Sequence, residues 1–302
     1  MSMTNESASY FSQVAGQWDK ISAGYFTGAV RDTAIAKAYL RPDMVVADIG
    51  AGTGFLTAGL APLVEKVYLL DGSAEMLDTA RKNLAGYTNT EFRLSDATAL
   101  NLPDEAVDAV FANMYLHHCT DPLAAIREMT RIIKPGGRLV ITDADMHNHT
   151  WMQEEMADVW LGFDRDQIRA WFAEAGLVNI LADCTGQNCC AESQNKALAD
   201  GKNRSAKVSI FVAVGTKRVK MQAFVKEAYS NAAQEKCGCG NSASEKSIKP
   251  AENQMKSSCC SVEAIQNMDV LSARIYSKKE LASAPTEAGE ISLGCGNPFT
   301  LA

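Results

Sequence analysis

The sequence predicts an α/β fold, in which a largely parallel sheet of seven strands has helices on both faces. From about residue 44 to residue 145, short apolar runs of strand length alternate with segments of helical periodicity. A glycine-rich turn follows the first of these runs directly, at residues 50–54. Alternation of this kind indicates parallel strands that are joined by right-handed helical crossovers.

The predicted elements follow in order along the chain. Residues 5–40 are expected to be helical, because Ala, Tyr and Phe are spaced for one buried face, and Pro42 ends the segment. Two helices are expected within 150–175, the second of them stopped by Gly176. The last two strands are expected to be joined by a long polar connection. Strands are predicted near residues 44–49, 66–71, 90–94, 107–113, 137–143, 177–181 and 208–214.

The glycine-rich turn predicts a cofactor site. Gly50, Gly52 and Gly54 form G-x-G-x-G, and the third glycine of a dinucleotide fingerprint is replaced by Phe55. Glycines let the backbone approach a ligand closely, and the helix that begins behind them offers free N–H groups. Asp48, which ends the strand, would repel a pyrophosphate but attract the ammonium and sulfonium groups of S-adenosylmethionine. The turn therefore favours that methyl donor over a dinucleotide.

A second acid supports the same site. Asp71 ends the next predicted strand, 21 residues after Gly50. A parallel neighbouring strand would place this carboxylate against ribose hydroxyls. Ser73 is the expected N-cap of the helix that follows. The turn, the spacing and the second acid together predict a cofactor pocket rather than a purely structural turn.

The chain resembles class I S-adenosylmethionine-dependent methyltransferases over roughly residues 8–217, nearest the type that includes ubiquinone and menaquinone biosynthesis methyltransferases. Besides the glycine turn, the resemblance rests on the motifs at 71–77, 95–97, 102–108, 113–118 and 134–137. It implies a Rossmann-like sheet of seven strands in which the last strand is inserted antiparallel.

The resemblance also implies roles for single residues. The glycine turn would lie beside the methionine part of the donor, and Asp71 would bind its ribose. Asp96 with Ala97 would edge the adenine, and Asn113 would face the sulfonium. The predicted cofactor-binding residues are Asp48, Gly50, Ala51, Gly52, Gly54, Asp71, Gly72, Met76, Asp96, Ala97 and Asn113.

Composition restricts the partners. The 302-residue chain has a formal net charge of −7, and an acidic catalytic region argues against nucleic acid as substrate. No apolar run approaches the length of a membrane span, and the first residues lack the pattern of a secretory signal. We therefore expect a cytoplasmic protein that acts on a small molecule. The sequence does not indicate an oligomeric state.

The nine cysteines are unevenly distributed, and the first is Cys119. In a cytosolic chain they are expected to be reduced. Trivalent arsenic binds three thiolates and keeps a lone pair that attacks a methyl group without a base. The candidate thiols in the first region are Cys119 and, on the predicted connection between the last two strands, Cys184, Cys189 and Cys190. A buried apolar role for Cys119 and Cys184 remains equally open.

The composition changes after residue 217. We therefore divide the chain into a methyltransferase region, 1–217, and a cysteine-rich extension, 218–302, which is expected to be loosely ordered. Residues 225–229, 276–282 and 293–298 and the cysteine pair at 259–260 resemble the N-terminal header of arsenite methyltransferases. That header supplies thiols for arsenic, although here it follows the methyltransferase region. By that resemblance it adds the candidate thiols Cys259, Cys260 and Cys295. No metal ion is predicted, because Cys237 and Cys239 have the wrong spacing for zinc.

Three functions are consistent with these features. The first is methyl transfer to arsenite or another thiol-bound metalloid, with or without glutathione as a further ligand. The second is C- or O-methylation of a quinone-like or other small metabolite, for which His118 or its neighbour His117 would be the general base. The alternative is that one of the two packs beneath the loop and the other is exposed to solvent. The third is metalloid binding or sensing without turnover.

Overall fold

A seven-stranded sheet forms the centre of the structure, a computed structural model that describes residues 5–25, 27–96, 98–193 and 204–219. The strands cross the sheet in the order β3-β2-β1-β4-β5-β7-β6. β1 to β5 pair in parallel, whereas β7 is antiparallel to both β5 and β6. This confirms the Rossmann-like sheet with an antiparallel last strand. The strands are β1 (Val45–Ile49), β2 (Lys66–Asp71), β3 (Thr90–Leu94), β4 (Val107–Asn113), β5 (Ile133–Ala144), β6 (Leu177–Glu192) and β7 (Ser205–Lys217).

Eight α-helices accompany the strands in the described residues. The single helical segment expected over 5–40 is instead three helices, because Gly16 and Gly24 lie in the turns between them and glycine is a poor helix former. The helices are α1 (Asn5–Val14), α2 (Trp18–Ser22), α3 (Gly28–Ala38), α4 (Thr57–Leu60), α5 (Ala74–Asn83), α6 (Pro122–Ile132), α7 (Trp151–Met156) and α8 (Arg165–Glu174).

Both faces of the sheet are buried under helices. On one face, Ile126 of α6 and Phe172 of α8 belong to the same core cluster as Val110 of β4. On the other face, Leu77 of α5 shares a cluster with Phe111, the next residue of β4. Adjacent strand residues point to opposite faces, so a strand covered on both sides is apolar throughout. This burial explains why the central strands were recognisable as continuous apolar runs.

The predicted polar connection after residue 181 is wrong. β6 continues to Glu192 and pairs with β7, with an irregular register between Cys184 and Asn188. In its last part Cys189 and Ala191 are buried while their neighbours are exposed. Such an edge strand, with one face open to water, is rich in polar residues and was therefore mistaken for a loop.

Several predictions lie outside the described residues. They concern Ala97 and the whole cysteine-rich extension after residue 219, with Cys259, Cys260 and Cys295. Within the described part, no helix combines the length and the apolar character that crossing a membrane requires.

Candidate functional site

A cavity of about 680 Å³ opens where β1, β2 and β4 end, and we call it the cofactor pocket. Its wall contains eight of the predicted cofactor residues. These are Asp48, Gly50, Ala51, Gly52, Asp71, Gly72, Met76 and Asn113. The other lining residues are Phe11, Trp18, Thr53, Phe55, Leu56, Ser73, Met114, Tyr115 and His118.

Two further predicted cofactor residues that the structure describes, Gly54 and Asp96, do not line this cavity. Gly54 lies over Leu84, whose Cδ1 would be 2.7 Å from an added Cβ, so this glycine permits close packing of the loop on the core. The side chain of Asp96 accepts hydrogen bonds from the N–H and the hydroxyl of Thr98. Asp96 therefore shapes its own turn in this structure.

The glycine turn has the conformation that only glycine adopts easily. Gly50 and Gly52 have φ angles of +66° and +53°. The Gly50 N–H donates to the Leu70 carbonyl at 2.8 Å, which fixes the turn against the end of β2. A Cβ on Gly50 would lie 2.0 Å from the ring of Tyr115. The turn thus has no room for a side chain at its first glycine.

Asp71 joins the two backbone segments of the cofactor pocket. Its Oδ2 accepts from the Gly52 N–H and its Oδ1 from the Ser73 N–H, both at 2.8 Å. Desolvation raises the pKa of Asp71, and the two N–H donors oppose that rise. Ser73 caps α5, as predicted, by accepting from the Met76 N–H. Each carboxylate oxygen of Asp71 keeps a lone pair with which it could bind a hydroxyl.

Asp48 is a buried carboxylate in the wall of the cofactor pocket. The residue is 1% exposed, and its Oδ2 accepts from the Thr57 hydroxyl at 2.7 Å. Burial raises the pKa of Asp48 to about 7. It forms no ion pair with any described residue. A positively charged group in the cavity would favour the ionised carboxylate, so Asp48 fits the ammonium and sulfonium groups of S-adenosylmethionine.

A second cavity, of about 550 Å³, adjoins the first. The two share Trp18, Met114 and His118 as a common wall. Met114 is held at a φ of +49°, which is unusual for a residue with a side chain, directly after β4. The remaining lining residues are Tyr10, Tyr25, His117, Ala144, His147, Met152, Met156, Asp158, Trp160, Gly162, Cys189 and Val208.

His117 is held between two carboxylates at the inner end of this second cavity. Its Nδ1 donates to Asp143 Oδ1 at 2.7 Å, and its Nε2 lies 3.7 Å from Asp158 Oδ1. Burial alone would lower the pKa of His117, but the two acids raise it to about 9. At neutral pH His117 is therefore an imidazolium ion.

His118, the predicted base, has the opposite protonation state. Its Nδ1 lies 3.2 Å from the Ala157 carbonyl, which can only accept, so Nδ1 carries the ring hydrogen. Burial, and then the charge of His117, hold the pKa of His118 well below its usual range. His118 is therefore neutral at pH 7, and its Nε2 has no hydrogen and can accept one.

The structure does not bring together the four candidate thiols that it describes. Cys119 lies in the core, where its Sγ faces the Tyr115 carbonyl at 3.8 Å, and Cys184 and Cys190 are exposed on β6. Of the four described cysteines, Cys189 alone lines either of these two cavities. Burial raises the pKa of both Cys119 and Cys189 to about 12, which disfavours the thiolates that arsenic requires. The three-thiol site expected at Cys184, Cys189 and Cys190 is thus not formed.

Sequence reasoning missed the residues that complete the second cavity. Tyr10 and Trp18 come from α1 and α2, and Asp158 comes from the loop after α7. No motif marks them, because each gains its place only through distant packing. One signal in the sequence could have indicated the partners of the histidine pair, namely an acid at the end of a neighbouring strand. Asp143 near the end of β5 is such an acid.

Comparison with known proteins identifies a methyltransferase domain in this chain. Residues 47–141 match the family model described as a methyltransferase domain. A malonyl-[acyl-carrier protein] O-methyltransferase of Marinomonas sp. is 30% identical over 57% of this chain and 66% of its own. A rice 2-methyl-6-phytyl-1,4-hydroquinone methyltransferase is 32% identical over 53% of this chain and 49% of its own. A ubiquinone/menaquinone biosynthesis C-methyltransferase of Hahella chejuensis is 37% identical over 45% of this chain and 58% of its own. The matched segments thus span about half to two thirds of these relatives.

Solved structures agree on the fold. The YcgJ protein of Bacillus subtilis matches with a TM-score of 0.55 at 20% identity, over 64% of this chain and all of that one. The [4+2]-cyclase SpnF matches with a TM-score of 0.55 at 17% identity, over 70% of this chain and 96% of its own. At these identities the likeness establishes the fold alone. Taken with the family match and the geometry of the glycine turn, it shows that the chain contains a methyltransferase domain of the S-adenosylmethionine-dependent type.

Proposed function

We propose that the protein transfers a methyl group from S-adenosylmethionine to a small, quinone-like organic acceptor, at a hydroxyl oxygen or an activated ring carbon. The observation that carries this proposal is the shared wall of the two cavities, Trp18, Met114 and His118. An acceptor in the second cavity would lie against the donor in the first. We therefore call the second cavity the acceptor pocket.

On the cofactor side, the residues of the chain would bind and orient the methyl donor. Bound S-adenosylmethionine supplies an electrophilic methyl group on a sulfonium centre. The carboxylates of Asp48 and Asp71 and the N–H groups of the glycine turn would hold its charged and hydroxyl groups. Asn113 is fixed beside them, because its Oδ1 accepts from the Thr142 hydroxyl at 2.8 Å. In an in-line displacement, holding the two reactants in a fixed geometry supplies most of the rate acceleration.

On the acceptor side, the lining is mainly aromatic and sulfur-containing. Met152, Met156 and Trp160 surround a cavity that suits a flat apolar ring. The relatives that are named as hydroquinone and menaquinone methyltransferases are consistent with such an acceptor. Phe11 of α1 packs edge-on against both Trp18 and His118, and this aromatic cover excludes water from the junction of the pockets.

We assign His118 the role of general base, as the sequence suggests. It is the one titratable side chain that lines both cavities. With its hydrogen fixed on Nδ1, the ring can take a proton from an acceptor hydroxyl at Nε2 as the new bond to the methyl group forms.

Metalloid methylation, the first function that the sequence favoured, has less support. The described cysteines are dispersed, and the two buried ones are held as thiols. None of the relatives reported above is named for arsenic. Arsenite remains the competing acceptor in the test. We also propose that the protein is cytoplasmic.

The test compares the acceptors directly. The purified full-length protein is incubated with S-adenosylmethionine and either 2-methyl-1,4-hydroquinone under anaerobic conditions or arsenite with glutathione. We expect S-adenosylhomocysteine and a methylated hydroquinone in equal amounts by mass spectrometry, and no methylarsenic. Methylarsenic products would instead restore the metalloid function. Cofactor binding without either product would favour a binding or sensing protein.

A further inference from the structure

Asp158 is a buried acid that the proposed chemistry has not yet used. It lies in the loop after α7, lines the acceptor pocket and is 7% exposed. Within the part of the chain that the structure describes, its Oδ1 has no hydrogen-bond partner. The nearest ring nitrogens are His117 Nε2 at 3.7 Å and His118 Nδ1 at 3.9 Å, both beyond hydrogen-bonding distance.

The backbone on both sides of Asp158 is fixed. The Ala157 carbonyl accepts from the hydroxyl of Ser7 at 3.0 Å as well as from His118. On the other side, the N–H groups of Val159 and Trp160 both donate to the His117 carbonyl at 3.0 Å. Asp158 therefore cannot turn easily towards solvent to satisfy its oxygen. The position is preorganised, as binding residues usually are.

A purely structural role does not account for this arrangement. A buried oxygen that accepts no hydrogen bond costs free energy, and such groups are rare without a functional reason. The imidazolium of His117 compensates the charge of Asp158, but it leaves Oδ1 without a donor.

We propose that Asp158 Oδ1 binds a hydroxyl or amine hydrogen of the methyl acceptor, so that the acceptor pocket selects molecules that carry a hydrogen-bond donor. This inference rests on the proposed function, because it places the acceptor in the second cavity. It assigns Asp158 to recognition and leaves proton removal to His118. The two roles predict different kinetic effects.

A metal ion is the competing occupant. His117, His118 and Asp158 each offer a ligand atom, all within 4.8 Å of one another. However, His118 Nδ1, the nitrogen 3.9 Å from Asp158, donates its hydrogen to Ala157, and His117 is charged between two acids, so neither of these nitrogens offers a lone pair to a cation beside Asp158. The arrangement therefore favours a neutral donor over a cation.

The first experiment needs no variant. Isothermal titration calorimetry of the full-length protein with saturating S-adenosylhomocysteine compares 2-methyl-1,4-hydroquinone with its dimethyl ether, which has no donor hydrogen. A hydrogen bond to a charged group predicts about tenfold or more tighter binding of the hydroquinone. Equal affinity for the two compounds, or no affinity for the hydroquinone, would overturn the proposal.

The second experiment removes the carboxylate of Asp158. Asp158→Ala should lose most of the preference for the hydroquinone and bind the ether as before, and its Tm should not fall. The matched control is Glu154→Ala, which removes an exposed carboxylate of α7 outside both cavities and should change neither affinity. An unchanged preference in Asp158→Ala, or Zn²⁺ binding at one equivalent that this variant abolishes, would contradict donor recognition.

Failure of this inference can be told apart from failure of the proposed function. Turnover of the donor is measured separately in the same preparations, and Asp158→Ala should raise KM for the hydroquinone more than it lowers kcat. Loss of preference without any turnover in the wild type would support Asp158 and reject the methylation chemistry. Turnover that survives Asp158→Ala with an unchanged KM would support the chemistry and reject Asp158.

Discussion

The two pockets of this domain are built in different ways. The cofactor pocket draws most of its polar groups from two short segments, 48–54 and 71–76, and its main hydrogen bonds join Asp71 to backbone N–H groups of Gly52 and Ser73. The acceptor pocket draws its lining residues from α1, α2, β5, α7, β6, β7 and four connections between elements. Local backbone geometry therefore defines the first site, and long-range packing defines the second.

The pockets also differ in charge. The cofactor pocket contains Asp48 and Asp71 with no basic side chain in its described wall apart from neutral His118. In the acceptor pocket, the charge of Asp158 is balanced by His117. The first arrangement suits a cationic donor, and the second suits a neutral acceptor that donates a hydrogen bond.

The largest effect is expected at the glycine turn. In Gly50→Ala the new Cβ would lie 2.0 Å from the ring of Tyr115 at a φ of +66°. To avoid that clash the turn must move away from its binding conformation. Restoring that conformation for binding should cost about 4 kcal/mol, which lowers the cofactor affinity roughly 1,000-fold. Calorimetric titration with S-adenosylhomocysteine measures it. Gly86→Ala is the control, because nothing lies within 4 Å of its Cβ; similar affinities in the two variants would show that the turn does not form the pocket.

A change at the shared wall should separate binding from chemistry. His118→Ala should lower kcat roughly 100-fold, because the general base is lost, and change S-adenosylhomocysteine affinity far less. His149→Ala is the matched control, since that ring lines neither cavity. Rates are measured with the hydroquinone at saturation. A kcat close to that of the wild type would remove His118 from the chemistry.

The charge pair of the acceptor pocket predicts a pH effect on stability. The pKa of His117 is raised from 6.5 to about 9, so its stabilisation is complete below pH 6.5 and is lost as the pH rises through 9. Between pH 7.5 and 9 we expect the free energy of unfolding to fall by on the order of 2 kcal/mol. Asp48, whose pKa is about 7, titrates mainly below this window.

Urea denaturation at several pH values measures this loss. Asp143→Asn removes the acid that bonds His117 Nδ1, and its unfolding free energy should depend much less on pH above 7.5. Parallel curves for the variant and the wild type would mean that His117 is not charged in the folded protein.

The smallest expected effect concerns the thiols. Cys189 is buried beside Val30 and Ile210, so Cys189→Ser places a hydroxyl in apolar surroundings and should cost about 1 kcal/mol of stability. Cys190→Ser, at the exposed neighbouring position, should stay within about 0.5 kcal/mol of the wild type. Thermal unfolding compares the two, and a large loss of methyl transfer in Cys190→Ser would revive a thiol-bound acceptor.

The sequence implied that the predicted cofactor residues would lie together, because its signals on that side are local. Asp48, the glycine turn and Asp71 each follow a buried strand directly, so their meeting at one edge of the sheet was implied by the strand order alone. Gly54 was assigned to the cofactor, yet it serves the contact with Leu84. A glycine pattern alone does not say whether a ligand or the core fills the space beside it.

The acceptor side could not be predicted in the same way. His117 and His118 were recognised as a pair, but their opposite protonation states depend on Asp143, Asp158 and Ala157, which are 26 to 41 residues away. Likewise, Cys189 and Cys190 looked like one vicinal pair, and the pleat of β6 places them on opposite faces.

By itself, the sequence determined the parallel sheet and the family's methyl donor, and it predicted the donor site at the edge of the sheet and the candidate histidines. It could do so because apolar periodicity and glycine spacing act over a few residues and do not depend on distant partners. Only the tertiary structure decided which histidine is charged, which cysteine lines the acceptor pocket and which carboxylate oxygen there lacks a hydrogen-bond partner. Those properties depend on burial and on distances between atoms far apart in the chain, and they come into being only when the chain has folded.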